Sequence, residues 1–404
     1  MKKWIGPAAI AALLATGYGA AAQEPLRIGA INPYSGPLAQ FGDEVARGYD
    51  LAAEDLNAKG GILGRKIVLI RGDAGNPQQG ITAVEKLVGQ DKVELFVGSY
   101  ISAVSNAASD AAARNGKIYW ETHGLASDLT ERGLPNYVRG GPNAQFFAET
   151  SVKSTVDVIA PKLGKPIAGL KVWIEHEDTI YGTSIAQIQK RLFEAAGAKV
   201  VGVGAHNFRA IDLTDSILRA SNAAPDVWIA TGYVPDNTLL LRTMRDQGFK
   251  PGAAMTVGTG DGVEFREALG DFINGVFVVG YPHPSLPETF APGIATFVDA
   301  YTKKYGKPPA APQSLEGYAV FKMMADAVTA AGSTDMAKVR AVAAAMDKPV
   351  KTYANGFGAR FDEKMQNTRA VPNVTQWQAG KSVTVYPVEA RQPGTDLVNI
   401  PRQN

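Results

Sequence analysis

The chain has 404 residues, 41 lysines and arginines against 39 aspartates and glutamates, and no cysteine. So even a balance argues against a nucleic-acid partner or an anionic membrane surface, and the missing cysteines exclude disulfides and a lipid-modified cysteine. The length exceeds one comfortable hydrophobic core and implies two domains of about 100–200 residues each.

In chain order, Met1-Lys2-Lys3 is a short cationic head, Trp4 to Gly19 is mostly apolar, and Ala20-Ala21-Ala22 offers small residues before Gln23. This predicts a secretory signal peptide over residues 1–22. A membrane span is excluded because the apolar stretch is short and broken by Pro7, Gly17 and Gly19. Cleavage removes Lys2 and Lys3 and no acid, so the mature chain has no net charge. It is expected to be soluble and periplasmic, held together by its cores alone.

From there strands and helices alternate. Leu26–Ile31 reads as a strand and Asp43–Ala58 as an amphipathic helix closed by Gly60-Gly61. Lys66–Arg71 (KIVLIR) is the next strand, Gln78–Gln90 a helix with Pro77 near its start. Val93–Val97, a helix over Ser102–Asn115 and the strand Lys117–Glu121 (KIYWE) continue the series. A second series opens near Gln145 with a long helix to Leu163. It runs through strands at Leu170–Glu175, Lys199–Val203, Asp226–Thr231 and Ala254–Val257, with helices at Ser184–Ala196, Leu213–Ala220 and Asn237–Gln247. Past Phe277 come a strand (VFVVGY) and helical stretches at Ile294–Tyr305, Leu315–Ala331 and Met336–Met346. Asn373–Gln378 and Val383–Val388, with Gly380 between them, read as a hairpin. The alternation predicts an α/β fold with two helix-covered, mostly parallel sheets.

Enzyme signatures are missing. His123, His176, His206 and His283 lack metal-ligand spacing, and His176-Glu177 has no second histidine to make a metalloprotease helix. Nothing reads G-x-S-x-G. Gly258-Thr259-Gly260-Asp261-Gly262 has its third glycine out of register for a dinucleotide loop. Neither catalysis nor a cofactor or metal is expected. What remains is polar residues at strand ends, where open α/β sheets bind ligands against helix N-termini. Four segments fit: Pro33–Leu38, Gly98–Ser102, Glu121–Ser127 and Gly258–Gly262. Helix capping alone also explains serines in such places. Trp120 suits a core as well as a pocket, Phe41 and Tyr100 suit helix packing as well as a cleft, and His123 suits a loop residue bonded to backbone. The stretch FVGSYISAVSNAAS carries neither the lysine nor the richer glycine loop of a phosphate site. No histidine is placed to serve a nucleophilic serine, so a carboxylate is the expected guest.

The order INPYSGPLAQFG, EDLNAKGGILGRKIVLIRGDAGNP, FVGSYISAVSNAAS, LTERG and EDTIYG resembles the periplasmic solute-binding proteins of ABC transporters for branched-chain amino acids and related ligands. The resemblance implies a type I periplasmic binding protein fold, two Rossmann-like lobes joined by a three-strand hinge with the ligand between them. It implies a first lobe of residues 23–142 and 277–349 and a second of 143–276 and 350–404, with crossings near Gly141–Asn143, Asn274–Phe277 and after Pro349. By position, Ser102 resembles the serine that receives a ligand carboxylate. Gly124, Leu125 and Ala126 resemble the loop flanking it. Tyr181 resembles the tyrosine closing from the second lobe, Tyr233 an aromatic of a Gly-Tyr-x-Pro turn, and Asp261 an acid facing an α-ammonium group. The implied protein is a monomer that delivers a small carboxylate to a membrane permease. An amino acid with an apolar side chain is the leading ligand. Alternatives are an aromatic or other carboxylate without an amine, held in a flat slot of Trp120, Tyr100 and Phe41, or an amide-type ligand, with a sensor role or an enzyme on the same fold further behind.

Overall fold

The structure is a computed structural model describing residues 1–2, 23–391 and 394–403. The expected signal peptide, Met1 and Lys2 apart, lies outside the described residues. Among the described residues no helix is long and apolar enough to cross a membrane.

The first lobe is built on β1 (Leu26–Asn32), β2 (Ile67–Asp73), β3 (Leu95–Gly98), β4 (Tyr119–Glu121) and β5 (Tyr137–Arg139), a five-stranded sheet in the order β2-β1-β3-β4-β5. All its pairings are parallel. β3, β4 and β5 are buried at every residue, as expected where helices cover both faces of a parallel sheet. The order reverses between β1 and β3. The loops after these two strands therefore part around a crevice, the place where such sheets bind ligands.

The second lobe repeats the plan with β6 (Lys171–Glu177), β7 (Lys199–His206), β8 (Val227–Thr231), β9 (Ala253–Val257) and β10 (Phe277–Gly280). To these the chain adds the hairpin β13 (Asn373–Gln378) and β14 (Lys381–Tyr386), giving the seven-stranded order β14-β13-β10-β9-β8-β6-β7. The hairpin pairs antiparallel and covers the open edge of β10, which blunts an edge that could recruit another chain. A small antiparallel pair, β11 (Asp347–Lys348) with β12 (Ala359–Arg360), lies between.

Most helices fall where periodicity places them, with starts shifted by a few residues. The first runs over Ala39–Ala58 and stops where Gly60 and Gly61 take φ of 101° and 79°. The expected 145–163 helix is broken into Ala144–Ser154, a π-turn over Thr155–Ile159 and a last turn at Ala160–Lys162 containing Pro161. Proline removes one backbone donor, and a wider turn just ahead of it absorbs the misfit.

The chain crosses between lobes later than the sequence suggests. β10 pairs with β9 and belongs to the second sheet, so the crossing follows Gly280 and does not fall near Asn274–Phe277. The helix Gln313–Ala331 then packs on Ala39–Ala58. Gly48 permits the approach, since a Cβ there would lie 2.1 Å from the Ser314 carbonyl oxygen. Residues after Pro349 also stay with the first lobe at first: Asn367 Nδ2 donates to the Gly140 carbonyl at 2.9 Å, and Phe361 meets Trp120 edge-on at 5.7 Å. Only β13 and β14 return to the second sheet. Strand pairing and packing set these limits, and neither leaves a local mark in composition.

Candidate ligand-binding site

The carboxyl ends of the two sheets face each other across a small cavity. The first lobe contributes Tyr100, Ser102, His123 and Leu125 to its wall. The second contributes Tyr181, Tyr233, Gly258, Thr259 and Tyr281. As closed here, the centre of a water molecule can move over only about 10 Å³, so anything larger enters when the lobes separate.

On the first lobe, Ser102 begins the helix Ser102–Arg114, but Ile101 is the capping residue and no side chain caps this end. The serine does something else. Its Oγ accepts the N–H groups of Leu125 at 3.1 Å and Ala126 at 3.2 Å. With both lone pairs engaged, the hydroxyl proton is left to be donated, and the residue is 2% exposed at the cavity wall. The loop it touches is held from behind by Glu121, at the end of β4. One carboxylate oxygen accepts four backbone N–H groups: Ser99, Thr122 and His123 at 2.8 Å each and Gly124 at 2.7 Å. The other meets the hydroxyls of Ser105 and Tyr137. Burial pushes the Glu121 pKa up, opposed by the Ser105 hydroxyl, the backbone N–H groups and Arg139. Fully buried Arg139 takes the loop's carbonyls, donating to Gly124 at 3.0 Å and Ala126 at 2.8 Å.

His123 is a neutral member of a relay. Tyr49 Oη and Thr122 Oγ1 lie 2.6 Å apart, Thr122 Oγ1 is 2.8 Å from His123 Nδ1, and His123 Nε2 is 3.2 Å from the Gln313 carbonyl. Burial holds its pKa down at about 3, opposed by the Gln313 carbonyl. The Tyr281 hydroxyl reaches across and donates to the His123 carbonyl at 2.7 Å, joining the lobes.

On the second lobe, Thr179 caps the helix Ile180–Ala195 and so sets Tyr181 in its first turn. Glu177 steadies the turn, accepting from Thr179 N at 2.8 Å and Gly182 N at 2.5 Å. The Tyr181 hydroxyl lies 3.0 Å from the Val257 carbonyl and 3.3 Å from that of Gly232. Gly258 must be glycine: φ is 86°, and a Cβ would lie 1.8 Å from the Tyr181 hydroxyl. Behind Tyr233, His206 bridges Asp236 at 3.0 Å and Glu175 at 3.2 Å. Burial pulls this imidazole down, but hydrogen bonds to the two carboxylates outweigh it and hold the pKa at about 9.

Asp261 is 4% exposed, and its Oδ2 has no hydrogen-bond partner among the described residues. The carboxylate lies over Gly280, where a Cβ would come within 2.7 Å of Oδ2. Burial pushes its pKa up to about 7, with Glu264 adding to the shift.

Of the residues chosen from sequence, Tyr100, Ser102, Leu125, Tyr181 and Tyr233 meet in one wall. Gly124 and Ala126 do not line it; their N–H and C=O groups are spent on Glu121, Ser102 and Arg139. Asp261 lies behind the wall, buried. Trp120 is a core residue, fully buried against Phe361. Phe41 stacks on Tyr100 at 5.6 Å and 13°, outside the cavity. No flat slot of Trp120, Tyr100 and Phe41 therefore forms. Sequence reasoning missed Tyr281 as a wall residue, although an aromatic directly after the strand VFVVG was a usable signal. It also missed Glu121 as the organiser, which no motif announces.

Residues 25–382 match the family model described as periplasmic binding protein. The chain is 38% identical over 392 residues to "Leu/Ile/Val-binding protein homolog 7" of Brucella suis, covering 96% of this chain and 97% of that protein. Among solved structures, the branched-chain amino acid transporter substrate-binding protein LivJ of Streptococcus pneumoniae, in complex with isoleucine, superposes with a TM-score of 0.76 at 19% identity, covering 89% of this chain and 99% of that one. A solute-binding protein of an ABC transporter from Rhodopseudomonas palustris, in complex with 3,4-dihydroxybenzoic acid, gives 0.73 at 21%, covering 89% and 95%. With the two lobes and the interlobe cavity already described, these matches show that the chain belongs to the periplasmic binding protein family, in its branched-chain amino acid ABC transporter branch.

Proposed function

We propose that this protein binds an amino acid with an apolar side chain between its lobes and presents it, as a monomer, to an ABC permease. The observation that carries the ligand class is Asp261. It is a buried carboxylate with an unbonded oxygen, two residues beyond Thr259 of a cavity wall that holds no lysine or arginine among the described residues. A buried anion of this kind is stabilised by a cation brought to it, and an α-ammonium group supplies one. The ligand carboxylate goes to the free proton of Ser102. An aromatic acid without an amine would bring a second negative charge and leave Asp261 unpaired. The wall rings are also mutually tilted by 48° to 51°, which does not make a parallel-sided slot.

Closure follows from the two-sided wall: a ligand touches both lobes only in the closed form and shifts the hinge equilibrium towards it. Ser102→Ala is expected to weaken binding by about 1.5–3 kcal/mol, the range for a hydrogen bond to a charged group, with a smaller effect on unfolding. Calorimetry with leucine checks this; unchanged affinity with a lowered melting temperature would make the serine structural. The mature chain is expected to begin at Gln23 outside the cytoplasm, which N-terminal sequencing of the exported protein reads directly. A chain retained inside with Met1 intact would contradict it.

A further inference from the structure

We propose that His206 is the positioning residue of the second lobe's half of the site, clamping the turn at Gly232 and Tyr233 on which three wall residues depend. The proposal rests on the interlobe site and applies to any ligand class that enters it.

His206 ends β7 and does not line the cavity. Its ring and the carboxyls of Glu175 and Asp236 are buried, none more than 1% exposed. Nδ1 lies 3.2 Å from Glu175 Oε1, and Nε2 lies 3.0 Å from Asp236 Oδ2. A carboxylate offers only acceptors, so each ring nitrogen has to donate, and an imidazole with two N–H groups is a cation. The ring is therefore a positive charge held between two buried acids, and it ties the helix Val234–Asp246 to β6. Burial opposes that charge; the bonds to Asp236 and Glu175 prevail and hold the pKa at about 9.

From Asp236 the clamp reaches the wall. Asp236 is the third residue of its helix, where an acid also suits the helix N-terminus. The backbone N–H groups of Tyr233 and of Asp236 itself act on its carboxylate. Gly232 lets that carboxylate close over the turn, since a Cβ there would lie 2.2 Å from Oδ2. The Gly232 carbonyl accepts the Thr259 hydroxyl at 2.9 Å and lies 3.3 Å from that of Tyr181. Asn237, the next helix residue, donates to Thr259 Oγ1 at 3.0 Å. Tyr233 belongs to the turn, and Phe208, two residues past His206, meets its ring edge-on at 5.1 Å. On the far side Trp173 Nε1 donates to Glu175 Oε2 at 3.0 Å, which anchors the clamp in the sheet. Tyr181, Tyr233 and Thr259 thus take their places from one turn, and the turn takes its place from His206.

The surroundings leave the ring's charge without a substitute. Asp236 Oδ1 has no hydrogen-bond partner among the described residues. Glu177, further along β6, and Asp236 repel each other. Asp178 takes the Asn207 amide at 3.4 Å, and Arg209 lies over the Phe208 ring at 4.9 Å. A neutral side chain at 206 would leave buried acids uncompensated directly behind the turn.

Calorimetry with leucine on the full mature protein compares wild type, His206→Gln, and His206→Gln combined with Asp236→Asn. His206→Gln should weaken binding by about tenfold or more, the equivalent of one hydrogen bond to a displaced wall. Adding Asp236→Asn removes one stranded charge and keeps an oxygen for the turn's N–H groups. Affinity should then return to within about threefold of wild type. A histidine that only fills space would not be rescued in this way. Undiminished binding in His206→Gln, or no recovery in the double variant, would overturn the proposal. Hydrogen exchange reads the clamp in the wild type, without mutation or ligand. The Asn237 amide bonds to the Tyr233 carbonyl at 3.1 Å. Corrected for intrinsic rates, its protection should hold at neutral pH and fall as pH rises through about 9, where the ring loses its proton. Protection that stays constant through that pH would also overturn the proposal. Leucine failing to bind the wild type would overturn the amino-acid reading alone, and exchange at the turn would then decide the role of His206.

Discussion

Asp261→Asn should lower affinity for an amino-acid ligand by about 3–5 kcal/mol, because it removes one partner of a buried ion pair and leaves the ammonium uncompensated. Asparagine keeps the shape and one acceptor oxygen, so the loss reads charge. For an acid without an amine the same variant should bind equally well or better. Titrating wild type and variant with leucine and with 4-hydroxybenzoate compares the two directly, and a variant that keeps full affinity for every amino acid tested would remove the basis of the ligand assignment. A pH signature accompanies the change. Burial holds the Asp261 pKa at about 7, against its usual 3.8. Between these values the folded, unliganded protein holds a proton that the unfolded chain has released, so stability falls as pH rises through that window and levels off above it. Asp261→Asn should flatten this slope in melting curves. Binding of an ammonium group favours the ionised carboxylate. Affinity should therefore rise between about pH 5 and 7, by at most about tenfold per pH unit, with release of a proton. Affinity independent of pH over that interval would argue that Asp261 does not meet the ligand's charge.

Glu121→Ala is expected to have the largest effect on stability, about 4 kcal/mol or more, since it strands several buried donors at once and each unsatisfied group costs about 1–3 kcal/mol. Four N–H groups converge on one Glu121 oxygen. They span both ligand-facing loops of the first lobe, so the loss should also loosen the seat of Ser102. Glu121→Gln retains one oxygen for the N–H cluster and can donate its amide to Ser105. It should cost far less, about 1–2 kcal/mol, the loss of charge assistance to those bonds. Urea unfolding gives the stabilities. Hydrogen exchange at Ser99 and at residues 122–124 shows whether the loops are what loosened. An alanine variant as stable as wild type would mean the loops hold themselves.

The sequence by itself determined the α/β class, the two strand–helix series and the position of Ser102 at the mouth of the third strand. Hydrophobic periodicity and glycine stops are local, and packing did not override them here. Tyr181 and Tyr233 were legible through the family resemblance alone, by their places in EDTIYG and in the Gly-Tyr-x-Pro turn. Only the tertiary structure decided which side chains share a wall. Trp120 and Phe41 sit beside the binding loops in the chain, yet one is core and the other backs Tyr100. Tyr281 is distant in sequence and reaches the His123 carbonyl. The lobe limits escaped for the same reason. β10 follows its helix like any other strand, and its place beside β9 depends on pairing across the sheet. Glu121 is one acid in a strand, and its meaning comes from four N–H groups folded around it from two loops, an arrangement that local propensity cannot encode and long-range packing alone creates.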